Sequence, residues 1–116
     1  MLVLLSPAKS LDYESPRATS KYSMPQFLEE AQELIKELRT YSEEGLQKLM
    51  KISPELAALN LERYQKFSRP FTEENARQAI LTFDGDVYTD FRLSEYGDKE
   101  FEFLPRHVRI LSGLYG

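Results

Sequence analysis

Phe27, Leu28, Ala31, Leu34, Ile35 and Leu38 recur at helical spacing. A helix with such an apolar stripe must bury it against a second layer. Ser23 to Gln26 fits a capping box, with Pro25 tolerated in the first turn. Glu29 and Glu30 lie near the positive end of the helix dipole and Arg39 near the negative end. The pattern predicts a helix over residues 25–39. Ser42, followed by Glu43 and Glu44, predicts a second, short helix with Leu46, Leu49 and Met50 on its apolar face. Ser53-Pro54 restarts the chain as a third helix, since Ser favours the cap and Pro the first helical position. That helix should end near Phe67, before Pro70. Residues 25–67 therefore read as one local helical unit.

The flanks read differently. Leu2 to Leu5 is a short continuous apolar run, which predicts a strand buried on both faces. Residues 6–23 are rich in Ser, Pro, Lys and Tyr and read as a long loop, a kind that is commonly functional. Thr72 to Asn75 reads as a capped helical turn. Ala79 to Phe83 fits either helix or strand, and Asp84-Gly85 is a turn signal suited to a hairpin if both flanks are strands. Phe101, Leu104, Val108 and Leu111 suggest a helix ended by Gly113, with Pro105 as a kink or as the real start. Glu100 to Phe103 also alternates like a strand. The fold class expected is mixed α/β (α+β), in one domain over residues 1–116.

Composition narrows the chemistry. The 116 residues contain no Cys and one His, His107. Disulfides, thiolate metal sites, Cys nucleophiles and a His-rich metal site are excluded. The net charge of −4 gives no overall basic footprint for nucleic acid, although a local basic face remains compatible with it. No apolar run approaches the ~20 residues of a membrane span. No basic residue precedes the short one at the start, so a cytoplasmic address is expected.

Ser6-Pro7-Ala8-Lys9-Ser10-Leu11-Asp12 follows the first strand, where α/β sheets commonly hold ligands. Lys9 is suited to a phosphate as a point charge, with Asp12 to orient it. Ser6 and Lys9 also have the spacing of a Ser/Lys nucleophile pair, but the companion motifs are missing. Asp84, Asp86, Asp90 and Glu95 resemble a calcium loop without its central Gly, since Thr89 stands there. Arg106 and Arg109 beside His107 offer an anion site, or a solvated surface. Gly45-Leu46 resembles half of a DNA-binding helical hairpin, with Lys48 and Lys51 to meet phosphate and Glu43 and Glu44 opposing it. Without DNA, the same helices are a packed αα-hairpin.

Taken together these blocks resemble the peroxide stress protein YaaA family. The resemblance is carried by Leu4 to Asp12, Leu49-Met50-Lys51-Ile52-Ser53, Glu74 to Leu81, Phe83-Asp84-Gly85-Asp86-Val87-Tyr88-Thr89 and Leu111-Ser112-Gly113-Leu114-Tyr115-Gly116. It covers the whole chain but only the N-terminal half of the family pattern, so the chain is expected to be an incomplete domain. The apolar end at Leu111–Gly116 is then expected to need covering, by further chain or by self-association.

The resemblance implies a mixed α/β fold and a cytoplasmic protein of the oxidative-stress response that limits free intracellular iron and Fenton damage. It also implies DNA binding, to double-stranded or structured DNA, through a helix-hairpin-helix-like element and a positively charged cleft. No enzymatic activity, catalytic residue, metal ligand or cofactor is implied. Carried over residue by residue, Ser6, Lys9, Asp12, Arg77, Asp86, Tyr88, Ser112 and Tyr115 are expected in a shared cleft as ligand-binding or anion-binding groups. Gly45, Lys48 and Lys51 are the DNA-binding candidates. The alternative is an enzyme or binding protein for a phosphorylated, nucleotide-like small ligand near Lys9.

Overall fold

The computed structural model describes residues 1–116 and has the mixed α/β character that the sequence patterns predict. The chain forms two units, one from Met1–Gln26 with Ala76–Gly116, the other from Phe27–Asn75.

The second unit is helical. Helix α1 spans Leu28–Leu38, α2 Glu43–Met50 and α3 Pro54–Lys66. Their interior holds Ala31, Ile35, Leu46 and Ala57, all nearly inaccessible to water. Two of the caps form as the sequence dictates. The Ser42 hydroxyl accepts from Gly45 N at 3.1 Å, and the Ser53 hydroxyl from Leu56 N at 3.2 Å with Pro54 at the helix start. The box expected at Ser23 does not form, and α1 begins three residues later than predicted. Pro25 disfavours the helical region for Met24, which the box required in the first turn. Phe27 instead occupies the cap position at φ −107°, ψ 43°. Arg39 reaches the far end of α3, donating from Nε to Tyr64 O at 2.7 Å and from Nη2 to Phe67 O at 2.6 Å. It thereby satisfies carbonyls that a helix end leaves open. Residues 72–75 form one turn and not a helix, closed by the Asn75 side chain, whose Oδ1 accepts from Thr72 N at 2.7 Å.

The first unit carries the short strands. Strand β1 (Val3–Leu5) pairs in parallel with β4 (Val108–Ile110), Leu4 opposite Arg109. Strand β2 (Ser10–Leu11) pairs antiparallel with β3 (Phe83–Asp84). Between them lie α4 (Ala79–Thr82), α5 (Asp86–Thr89) and α6 (Asp98–His107). The run Ala79 to Phe83 is thus both of its alternatives, a helical turn passing into a strand. The expectation of a strand buried on both faces fails for β1: Leu2 and Leu4 are 56% and 58% exposed. Only β4 flanks it, and while Leu5 is half-buried the rest of the strand is open to solvent. Asp84-Gly85 is not a hairpin turn. Gly85 caps α5, accepting from Tyr88 N and Thr89 N at 2.8 and 2.9 Å. The predicted helix through Leu111 stops at His107. The β-branched Val108 and Ile110 extend to pair with β1, and Pro105 leaves the last helical turn one N–H short. His107 stacks on Phe103 with ring centroids 4.0 Å apart, and its Nδ1 lies 2.9 Å from Met1 O. Arg109 donates to the Pro105 and Val108 carbonyls. His107 and Arg109 are therefore occupied by backbone and do not converge on an anion.

Candidate functional site

Two of the sequence blocks meet in the first unit. The β2–β3 ladder lays Ser10 against Asp84 and Leu11 against Phe83, and Asp12 N extends the pairing to Thr82 O at 2.7 Å. This brings the loop before β2 onto the turn before α5. Gly85 makes the approach possible: a Cβ there would lie 3.3 Å from the Ala8 Cβ, tighter than ordinary contact. Tyr88 locks the two together. Its side chain is buried and its hydroxyl donates to Ser6 O at 2.6 Å. Burial pushes the Tyr88 phenol above its ordinary value, so it stays a neutral donor.

The result is an open groove of about 340 Å³ lined by Lys9, Ser10, Asp84, Gly85, Asp86 and Tyr88, with Pro7 and Ala8 beside them. Lys9 is exposed and brings the one positive charge; Asp84 and Asp86 bring two negative ones. The groove is suited to binding through charge and hydrogen bonds. It carries no imidazole or thiol. No group of three or more His, Asp or Glu side chains is placed to hold a metal ion.

Of the eight cleft candidates, Lys9, Asp86 and Tyr88 line this groove and Ser6 supports it through its carbonyl. Asp12 does not line it. Its Oδ1 accepts from Glu14 N and Ser15 N at 2.9 and 3.0 Å, and its Oδ2 from the Ser15 hydroxyl. Those bonds, the hydroxyl's first, lower its pKa to about 2, with a smaller contribution from the Arg77 charge. Arg77 itself holds the Leu81 carbonyl through Nε and Nη2. Ser112 closes the terminal turn, its hydroxyl accepting from Leu114 N and Tyr115 N at 3.2 and 3.0 Å. Burial, and then the neighbouring Tyr13, raise the Tyr115 phenol above its ordinary value. The sequence reading missed Ser10, Asp84 and Gly85 as groove residues. The Asp-Gly pair signalled a turn, and only the non-local ladder shows what that turn faces.

In the helical unit, Gly45 lies inside the first turn of α2. A Cβ there would meet Tyr41 Cδ1 at 3.2 Å and Ser42 Oγ at 3.3 Å, so its smallness serves packing and the cap. The turn joining α2 to α3 is Lys51-Ile52-Ser53. Lys51 adopts the left-handed conformation at φ 54°, ψ 49°, a place where Gly is the usual residue. Lys48, in the last turn of α2, and Lys51 are both exposed. The hairpin expected at Gly45-Leu46 is therefore not there, since both residues lie within α2; the turn between helices comes at Lys51 to Ser53, just before the Ser53-Pro54 start of α3.

Fold and groove define a mixed α/β protein with a small polar groove and a tight helical hairpin. The chain belongs to the peroxide stress protein YaaA family, whose model matches residues 1–116. It is 52% identical over all 116 residues to a UPF0246 protein of Colwellia psychrerythraea strain 34H, and covers 45% of that relative's length.

Proposed function

We propose that this chain serves a cytoplasmic peroxide-stress protein that limits free iron and Fenton damage, and that its helical unit contacts the DNA backbone. Family membership supports the stress role. The observation that carries the DNA reading is the hairpin at Lys51: a cation on a left-handed turn between two helices, with Lys48 exposed beside it and the start of α3 directly after. Such a turn presents positive charge to a phosphate, and the start of α3 adds the favourable end of a helix dipole. Glu43 and Glu44 lie at the other end of α2, away from this turn by the length of the helix. The iron effect is indirect in this reading, because one His and dispersed carboxylates make a poor iron site.

Anisotropy of a labelled duplex over several salt concentrations tests this. Binding should weaken steeply with salt. Lys51→Gly keeps the left-handed turn while removing its charge, and should reduce the salt slope by about one. An unchanged slope in Lys51→Gly and Lys48→Gln rejects the hairpin as the contact.

The groove favours a second reading, a phosphorylated small ligand of nucleotide type. Its phosphate would meet Lys9, and its N–H or hydroxyl donors would meet Asp84 and Asp86. A bare anion fits poorly between two carboxylates. Equilibrium dialysis against nucleoside monophosphates, with Lys9→Gln as the comparison, separates this reading from the first.

A further inference from the structure

A second pocket lies wholly in the helical unit and belongs to neither reading above. It has a volume of about 190 Å³ and is lined by Gln32, Lys36, Arg39, Phe67, Ser68 and Arg69. Its wall thus holds three cations and no carboxylate, in a chain whose net charge is −4. At about 30 Å³ per water it has room for roughly six water molecules, enough for a phosphate group and some hydration. We propose that this pocket is a seat for a phosphate group, bound as an oxyanion by Lys36, Arg39 and Arg69.

Three features of the pocket support it. The first is preorganisation. Arg39 is pinned by Tyr64 O, Gln65 O and Phe67 O at 2.7, 3.4 and 2.6 Å. Arg69 is pinned by Glu29 Oε1 and Gln32 Oε1, both at 3.1 Å. Guanidinium groups already held in place lose little side-chain entropy when a ligand arrives. The second is residual charge. Arg39 is met only by carbonyls at a helix end, which carry about half an elementary charge. The Lys36–Glu33 and Arg69–Glu29 pairs have well-exposed carboxylates, with side-chain exposures of 69% and 84%. An exposed pair such as Lys36–Glu33 contributes little, so Lys36 can turn to a dianion at small cost, while Arg69 stays on Glu29 and Gln32 through Nη1 and offers its other N–H groups. The third is the wall itself. Phe67, packed edge-on against Phe71 with centroids 5.7 Å apart, thins the water around the charges and strengthens their field. Ser68 adds a hydroxyl.

The group recognised is a phosphate, from either of two sources: a free phosphate or phosphomonoester, or a DNA backbone phosphate. Inorganic phosphate titrated into the ¹⁵N-labelled chain, at constant chloride, reads the first source. Anisotropy of a labelled duplex reads the second. Phosphate should shift the amide signals of Lys36, Ser68 and Arg69 saturably. The double variant Lys36→Gln/Arg69→Gln, checked for helix content by circular dichroism, should weaken binding at least tenfold. Lys36→Gln alone should weaken it several-fold and guards against a folding defect, since its partner Glu33 is exposed. Lys66→Gln, which removes a cation paired with Glu62 outside the pocket, should leave it unchanged. If free phosphate is silent but duplex binding falls in the same variants, the seat holds for the backbone source. The proposal is overturned if neither probe binds, or if the Lys36 and Arg69 variants bind both as the parent does. Unchanged binding in the Lys36 and Arg69 variants overturns this seat alone and leaves the Lys51 reading intact, because the two rest on different residues, whereas a duplex that does not bind at all removes both.

Discussion

Tyr88 holds the groove by one hydrogen bond, and that bond can be removed without removing the ring. Tyr88→Phe keeps the contacts of the ring with Phe83 and Phe91, whose centroids lie 5.4 and 6.4 Å away, and deletes the donation to Ser6 O. Ser6 is exposed, so water can replace the lost donor. The cost should therefore fall near the net worth of a hydrogen bond, about 1 kcal/mol. Urea denaturation checks it, and a loss above about 3 kcal/mol would mean that the hydroxyl holds more than this bond. Asp12 acts through its charge. Its folded pKa of about 2 lies below the ordinary carboxylate value of 3.8. A depressed carboxylate pKa means stability that is present above the unfolded value and lost as pH falls through the folded one. The loss should therefore run from about pH 4 down to about pH 2. Titration of the Asp12 carboxyl by NMR should place its midpoint well below that of a free Asp, and Asp12→Asn should flatten that part of the stability profile. A midpoint near 4 would show that the Ser15 and Glu14 bonds do not persist in solution.

At the scale of elements, capped helices are legible from sequence because their determinants are local. Ser42 and Ser53 each sit three residues before the amide they cap, and the stripe from Leu28 to Leu38 lies in one window. The strands are not local. Leu5 pairs with Ile110, and Ser10 with Asp84; no spacing within Leu2–Leu5 or Val108–Ile110 announces the partner. The same limit hid part of the groove: the resemblance put Lys9 and Asp86 in one cleft, but nothing local showed that Ser10 faces Asp84 or that Ala8 lies on Gly85. The α1 start was misread where two local rules conflict, the capping box at Ser23 and the restriction that Pro25 places on Met24. The cap at Ser53 gives a direct test. Ser53→Ala should cost about 1 kcal/mol, and Ser53→Gly only a few tenths. Equal losses in the two variants would mean that the turn at Lys51-Ile52, and not the hydroxyl, sets the start of α3.

Over the whole molecule the sequence is threaded so that the helical unit, Phe27–Asn75, interrupts the strand-bearing one. The strand-bearing unit is left with an unusual surface. Parallel strands are ordinarily covered on both faces, yet β1 and β4 form a two-stranded parallel sheet. Leu2, Leu4 and Leu111 are 56%, 58% and 51% exposed, and Phe103 of α6 is 56% exposed. A two-stranded sheet also leaves an outer edge on β1, and such edges template pairing with other chains. Covering a half-exposed Leu stabilises by roughly 1 kcal/mol. A few such residues offset the cost of association only partly, so the chain by itself should self-associate weakly through this sheet. Sedimentation equilibrium should show an average mass that rises with concentration. Leu4→Lys and Leu111→Lys should hold the mass at that of the monomer and, as surface changes, alter stability by no more than about 0.5 kcal/mol. A constant mass for the parent chain would sink the idea. So would association that survives both lysines, because charges on β1 and just beyond β4 would have to be covered with the apolar residues around them.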